Sequence, residues 1–159
     1  ASDIITVPSS SDFAFGTGDF TLESMIYPTS FTRYTHMIAL PEQSTFALKA
    51  THTSGEIYFY SPAYSTHGTI NNWDLVLDTW NYIVFKRESS IGYGYKDGVL
   101  AGSKSGFTNN FSAQILNIGW GYGTEYSDKI IKITKIYNKS LSQAEITQNF
   151  NAYRNRFGI

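Results

Sequence analysis

The chain reads as an all-β protein: two antiparallel sheets packed as a sandwich, closed by one short C-terminal helix. Three observations carry this. Short runs of β-branched and aromatic residues recur along the sequence, separated by glycine-containing turn signals. Asp97-Gly98, set between two alternating runs, is the two-residue hairpin signal of a type I′ turn. Ser142 with Glu145 three residues on is a capping box that opens a helix.

The elements follow in order. A first strand is expected over 4–7, ended by Pro8. The stretch FAFGTGDFTLESMIYP, 13–28, starts as a glycine-punctuated loop and continues as a strand over 20–27. That strand is apolar on both faces: Phe20, Leu22 and Ile26 alternate with Met25 and Tyr27. A strand with one solvated face would carry polar residues along it. This one is therefore expected to be covered twice, by the second sheet and by loops or a neighbouring strand. Further strands are expected over 37–39, 45–50, 56–60 and 73–77, then 82–88, 91–96 and 99–104 around the Asp97-Gly98 hairpin, then 115–118 and 129–137. Pro28, Pro41 and Pro62 also fall at segment ends, where a missing N–H does least harm. Leu141 precedes the capping box as a hydrophobic staple, and Ile146, Phe150 and Tyr153 recur at helical spacing. The helix is expected over roughly 143–153. Trp80 heads a strand and is expected in the core.

A length of 159 residues fits one domain, 1–159, able to bury a core without staples. Charged residues make up 16% and the net charge is −1, which excludes the electrostatic footprint of a nucleic-acid or anionic-membrane binder. The aromatic content is high, with 12 Tyr, 11 Phe and 3 Trp. Tyrosine joins a broad apolar face to a hydroxyl, which suits interfaces and sugar-binding surfaces as well as strands. With no cysteine there is no disulfide, thiolate metal site or cysteine nucleophile. No apolar run approaches the ~20 residues of a membrane span. The start at Ala1, without a signal-peptide pattern, reads as an excised domain or a processed product.

Three stretches in order resemble the laminin-G-like, concanavalin A-like lectin/glucanase jelly-roll domains: SSSDFAFGTGDFTLESMIYP, DTWNYIVFKRESSIGYGYKDGVLAGS and KIIKITKIYNKSLSQAEITQNFNAYRNRFGI. They cover roughly half the chain. The resemblance implies a jelly-roll sandwich, and a function among the superfamily's lectins and glycoside hydrolases. The sequence departs from the family pattern at Met25, where many relatives carry tryptophan, and at Ile131-Lys132-Ile133, where many carry Ile-Asp-Asp. Some relatives bind calcium through rim acids, and the missing aspartates argue against a metal here. The wording Phe-Gly-Thr-Gly-Asp-Phe-Thr near the start and Arg-Phe-Gly-Ile at 156–159 resembles versions found in bacteriophage virion proteins.

Catalysis is not expected. A retaining glycosidase needs two carboxyls about 5–5.5 Å apart, and the superfamily's glucanases place them at i and i+4 of one strand with an Asp between. Asp74 and Asp78 have that spacing, but Leu75, Val76 and Leu77 between them hold no third carboxylate. His36, His52 and His67 lack metal-ligand spacing. Neither Gly92-Tyr93-Gly94 nor the glycines at 119–123 link a strand to a helix, so neither is a phosphate loop. No catalytic residue, metal or cofactor is assigned.

Two polar-aromatic segments stand out as binding candidates. SPAYSTHGTINNWD, 61–74, holds Tyr64, His67 and Trp73, and GWGYGTEYSD, 119–128, holds Trp120, Tyr122 and Tyr126. Rings beside Asn, Asp and Glu suit carbohydrate, the ring taking the sugar's C–H face and the polar groups its hydroxyls. They equally suit a subunit interface. The leading reading is a non-catalytic module on a larger extracellular or virion-surface assembly, binding a glycan, a cell-surface polysaccharide or a neighbouring virion protein. The alternatives are a structural decoration or homo-oligomerisation domain and, more distantly, a glycoside hydrolase.

Overall fold

The computed structural model describes residues 4–40, 46–60, 68–112, 114–120 and 128–159. Strands in chain order are β1 (Ile5–Ser10), β2 (Phe20–Pro28), β3 (Thr35–Leu40), β4 (Phe46–Ala50), β5 (Glu56–Tyr60), β6 (Gly68–Asp74), β7 (Asn81–Glu88), β8 (Ile91–Lys96), β9 (Val99–Ser105), β10 (Gln114–Ile118) and β11 (Lys129–Tyr137), followed by helix α1 (Gln143–Phe157). They form two sheets: a larger one in the order β1-β10-β3-β4-β5-β6 and a smaller one in the order β11-β2-β7-β8-β9. Neighbouring strands are antiparallel throughout. The predicted sandwich is the observed architecture.

The main core lies between the sheets. Phe20, Leu22 and Ile26 of β2 with Ile83 and Phe85 of β7 meet Met37, Ile38, Leu40, Leu48 and Ile57 of the larger sheet. Alternation along the strands selects most of these residues, and a register irregularity between His36 and Ile38 turns the adjacent Met37 inward as well. The strand expected over 73–77 is corrected: β6 runs Gly68–Asp74. A register irregularity against β5, between Glu56 and Tyr58, lets Ile70 and Trp73 both reach the core although they are three apart. On β8, Gly92 and Gly94 leave room for large rings, since a Cβ would lie 2.6 Å from Phe107 and 2.7 Å from Trp73 respectively.

One polar group closes an end of this core. Arg87, near the end of β7, is 1% exposed. Its Nε donates to Gly18 O at 2.7 Å, Nη1 to Asn109 O at 2.6 Å, and Nη2 to Gly16 O at 2.9 Å and again to Gly18 O. The guanidinium sits 4.9 Å from the Phe20 ring centre and 5.2 Å from that of Phe111. Burial pulls its pKa below the ordinary value, opposed by the charge of Asp19.

The second face of β2 is covered by α1, not by loops or another strand as the sequence suggested. Met25, Tyr82, Val84 and Tyr95 of the smaller sheet pack with Leu141 and Ile146, flanked by Phe150, Tyr153 and Phe157. The helix runs one turn beyond the expected 153 because Phe157 continues the apolar stripe, and Gly158 ends it in the left-handed region at φ 70°. Thr21 fastens the entry to α1, its hydroxyl donating to Lys139 O and accepting from Leu141 N. Beneath the helix Glu23 is fully buried and accepts from Asn149 Nδ2 at 2.9 Å. Its charge and, foremost, burial hold the Tyr82 phenol above its ordinary pKa.

The predicted capping box is present, with Ser142 as N-cap. Ser142 Oγ accepts from Glu145 N, and Ser142 N donates to Glu145 Oε2 at 2.8 Å. Ser142→Ala is expected to cost about 1 kcal/mol at neutral pH, measured as a lower urea midpoint at unchanged m-value. Hydrogen bonds from Lys139, then from Ser142, lower the Glu145 carboxyl from 4.5 to about 2. A depressed folded-state pKa contributes stability above the unfolded value and loses it as pH falls through the folded one. The Ser142 amide should therefore lose exchange protection between pH 4.5 and about 2.

Asp97 (φ 50°) and Gly98 (φ 80°) form the left-handed pair of the β8–β9 hairpin, as expected. In β11, Ile131 pairs with Ile26 and Ile133 with the next residue, Met25, so Lys132 is an inserted bulge residue. The bulge reverses the alternation: Ile131 packs on the main core and Ile133 on the α1 side. Among the described residues no helix is long and apolar enough to cross a membrane.

Candidate functional site

Register alone assembles a polar row on the outer face of the larger sheet. His36 on β3 lies opposite Lys49 on β4, and Lys49 opposite Tyr58 on β5. Paired residues of antiparallel strands point to the same face, so these three side chains stand side by side. Their inward neighbours Ile38, Leu48 and Ile57 fill the core. His36, Lys49 and Tyr58 are nearly or fully buried.

Tyr34, just before β3, extends the row toward solvent. Lys49 Nζ lies 4.1 Å from the centre of the Tyr34 ring and 5.5 Å from that of Tyr58, a cation held between two aromatic rings. His52, exposed after β4, meets the Tyr34 ring edge-on at 4.8 Å. Tyr34 is half-buried, and the Lys49 and His52 contacts fix its orientation before any ligand arrives. At the same strand ends Gly119 N donates to Met37 O, and Lys129 Nζ donates to Gly119 O at 2.9 Å. Burial pulls the Lys129 ammonium down to about 8, with Asp128 opposing. Two ring systems, one buried cation and an exposed imidazole thus converge. Chemically the arrangement offers a stacking face and donors for hydroxyl or acidic oxygens. Among the described residues no group of three or more His, Asp or Glu side chains is placed to hold a metal.

The residues chosen from sequence fare unequally. Trp120 is half-buried and follows Gly119 directly, so its backbone lies at the Tyr34 end of the larger sheet. Trp73 is corrected: it is fully buried in the main core, with Nε1 donating to Tyr95 O at 2.9 Å, and has no face for a ligand. The register irregularity of β6 turned it inward. Tyr64, His67, Tyr122 and Tyr126 lie outside the described residues. Trp80 is also corrected. It sits half-exposed on the outer face of the smaller sheet, edge-on to Tyr27 at 5.4 Å and to Phe157 at 4.7 Å. Asp74 ends β6, while Asp78 lies in the following turn with N–H bonded to Pro28 O. The i, i+4 pair does not share a strand.

Sequence reasoning missed Tyr34, Lys49 and Tyr58. They come from separate strands, so no local spacing marks them, and only correct pairing of β3, β4 and β5 brings them together.

Residues 1–147 match a family profile described as the concanavalin A-like lectin/glucanases superfamily. Among curated protein sequences none matches the chain. Solved structures of similar shape include botulinum neurotoxin type C, in work on its interaction with two ganglioside molecules, at TM-score 0.70 and 14% identity over 94% of this chain and 39% of that one. Domain 4 of AbnA, an extracellular arabinanase of Geobacillus stearothermophilus in complex with arabinotriose, gives TM-score 0.76 and 16% identity over 91% of this chain and 71% of that one. Trypanosoma rangeli sialidase gives 0.64 and 19% over 84% and 22%. At such identities these likenesses show the fold alone. The chain spans well under half of the neurotoxin and sialidase chains.

Proposed function

The chain belongs to the concanavalin A-like lectin/glucanases superfamily, and from that premise we propose that it is a non-catalytic module that binds a glycan at the Tyr34 end of its larger sheet. The observation that carries this reading is the Tyr34–Lys49–Tyr58 stack with His52 at its rim. A pyranose laid on the half-exposed Tyr34 ring would present its hydroxyls to His52. Trp120 and, from the undescribed segments, Tyr64, His67, Tyr122 and Tyr126 remain proposed contributors; Trp73 does not. Absence of catalysis is supported by the separation of Asp74 from Asp78 onto different elements. Structural neighbours described by interaction with gangliosides and by a complex with arabinotriose support a carbohydrate partner, and the extracellular arabinanase supports an extracellular setting. The virion setting rests on the sequence wording at 15–21 and 156–159.

A glycan array probed with the wild-type chain and Tyr34→Ala tests this. The expected result is selective binding by wild type and roughly tenfold weaker binding by the variant, the scale of one stacked ring. Wild type silent across neutral and acidic glycans would overturn it.

A purely structural, oligomer-forming role is the second reading. It is favoured by Val99 and Leu100, 69% and 47% exposed on β9 at the edge of the smaller sheet.

A further inference from the structure

The outer face of the smaller sheet carries a separate hollow of about 290 Å³, lined by Trp80, Lys132, Ile133, Arg156 and Phe157. Trp80 and Phe157 meet at 61° and form two walls of a corner. Tyr27 also packs edge-on with Trp80, which helps hold the ring before a ligand arrives. Lys132 is the inserted residue of the β11 bulge, and bulges re-aim side chains out of the ladder. Arg156, in the last turn of α1, has its guanidinium 5.7 Å from the Phe157 ring centre. Among the described residues neither cation has a carboxylate within ion-pair distance.

Each cation has an ordinary reason to be present. Arg156 complements the helix dipole, and a lysine on a bulged edge strand discourages edge-to-edge pairing. Neither reason requires the two to share one hollow with two aromatic walls. Two neighbouring cations with no carboxylate partner among the described residues suit an anion. The apolar corner calls for a ring with a C–H face, and the volume suits one sugar unit near the lower end of ligand-site sizes.

We propose that this hollow binds a uronic-acid unit, a pyranose bearing a carboxylate, with its apolar face on Trp80 and its carboxylate between Lys132 and Arg156. The guanidinium fork matches a carboxylate in two bonds, and the lysine adds charge without fixed geometry. The inference does not rest on the larger-sheet site.

Titration calorimetry with trigalacturonate, and with neutral galactotriose as control, tests it. The expected result is trigalacturonate binding that weakens as sodium chloride rises from about 20 to about 200 mM, with galactotriose at least tenfold weaker. Lys132→Glu with Arg156→Glu, both exposed and away from either core, should lower the affinity at least tenfold. No trigalacturonate binding by wild type would overturn the proposal, and so would equal binding of the neutral sugar. Loss through Tyr34→Ala with the double variant unaffected would place the acidic sugar on the larger sheet and equally overturn it.

Discussion

Arg87→Met should lower the unfolding free energy by about 3 kcal/mol, because the partly buried carbonyls of Gly18 and Asn109 lose the guanidinium as donor and that of Gly16 keeps only Phe111 N, while the methionine fills most of the space. Each unsatisfied buried acceptor costs about 1–3 kcal/mol, and bonds from a charged donor lie at the stronger end. The carbonyls of Gly16, Gly18 and Asn109 belong to two loops that otherwise join through the Gly16–Phe111 bridge. The loss is a large part of the roughly 5–15 kcal/mol expected of a domain. Arg87→Lys keeps the charge, yet one ammonium cannot serve the same three carbonyls while resting against both Phe20 and Phe111. It should recover less than half of the loss. Urea midpoints of the two variants decide the matter, and full recovery by lysine would show that charge alone, not the planar fork, holds the loops.

Ile146→Ala is the second large effect. Ile146 is fully buried against the smaller sheet, and truncating such a residue costs about 2–5 kcal/mol through lost burial and the cavity left behind. The helix it anchors covers Met25 and Val84, and also Glu23, whose carboxylate depends there on Asn149. Lifting α1 would return that carboxylate to water, which offsets part of the loss. Hydrogen exchange should therefore show α1 opening before the strands do. A change under about 0.5 kcal/mol would mean that the helix rests only loosely on the sheet.

Local signals were legible wherever the chemistry was local. Asp97-Gly98 and the Ser142–Glu145 box each act through neighbours in sequence, and both appear as read. The two-faced pattern of β2 correctly demanded two covers, but hydrophobicity names no partner, so the helix above Met25 was not foreseen. Trp73 and Trp80 exchanged roles because an irregular strand turned one inward and an aromatic corner kept the other half-exposed. The bulge at Lys132 is equally silent in sequence, since Ile131-Lys132-Ile133 reads as simple alternation. The Tyr34 row depends on pairing across three strands, which spacing along one strand does not encode.

The pairing of β2 with β11 has a consequence in time. About 100 residues separate Pro28 from Lys129, which face each other in the finished sheet. At roughly 5–20 residues per second a ribosome needs about 5–20 s to deliver β11 after β2 has emerged. During that interval β2 lacks one hydrogen-bonding neighbour and its α1-side cover, leaving an open apolar edge of the kind that recruits other chains. Contacts so distant in sequence also slow the search itself, toward the millisecond-to-second range of β-rich topologies. Yield on expression should accordingly depend on synthesis rate and chaperone supply more than on the equilibrium stability of the finished sandwich.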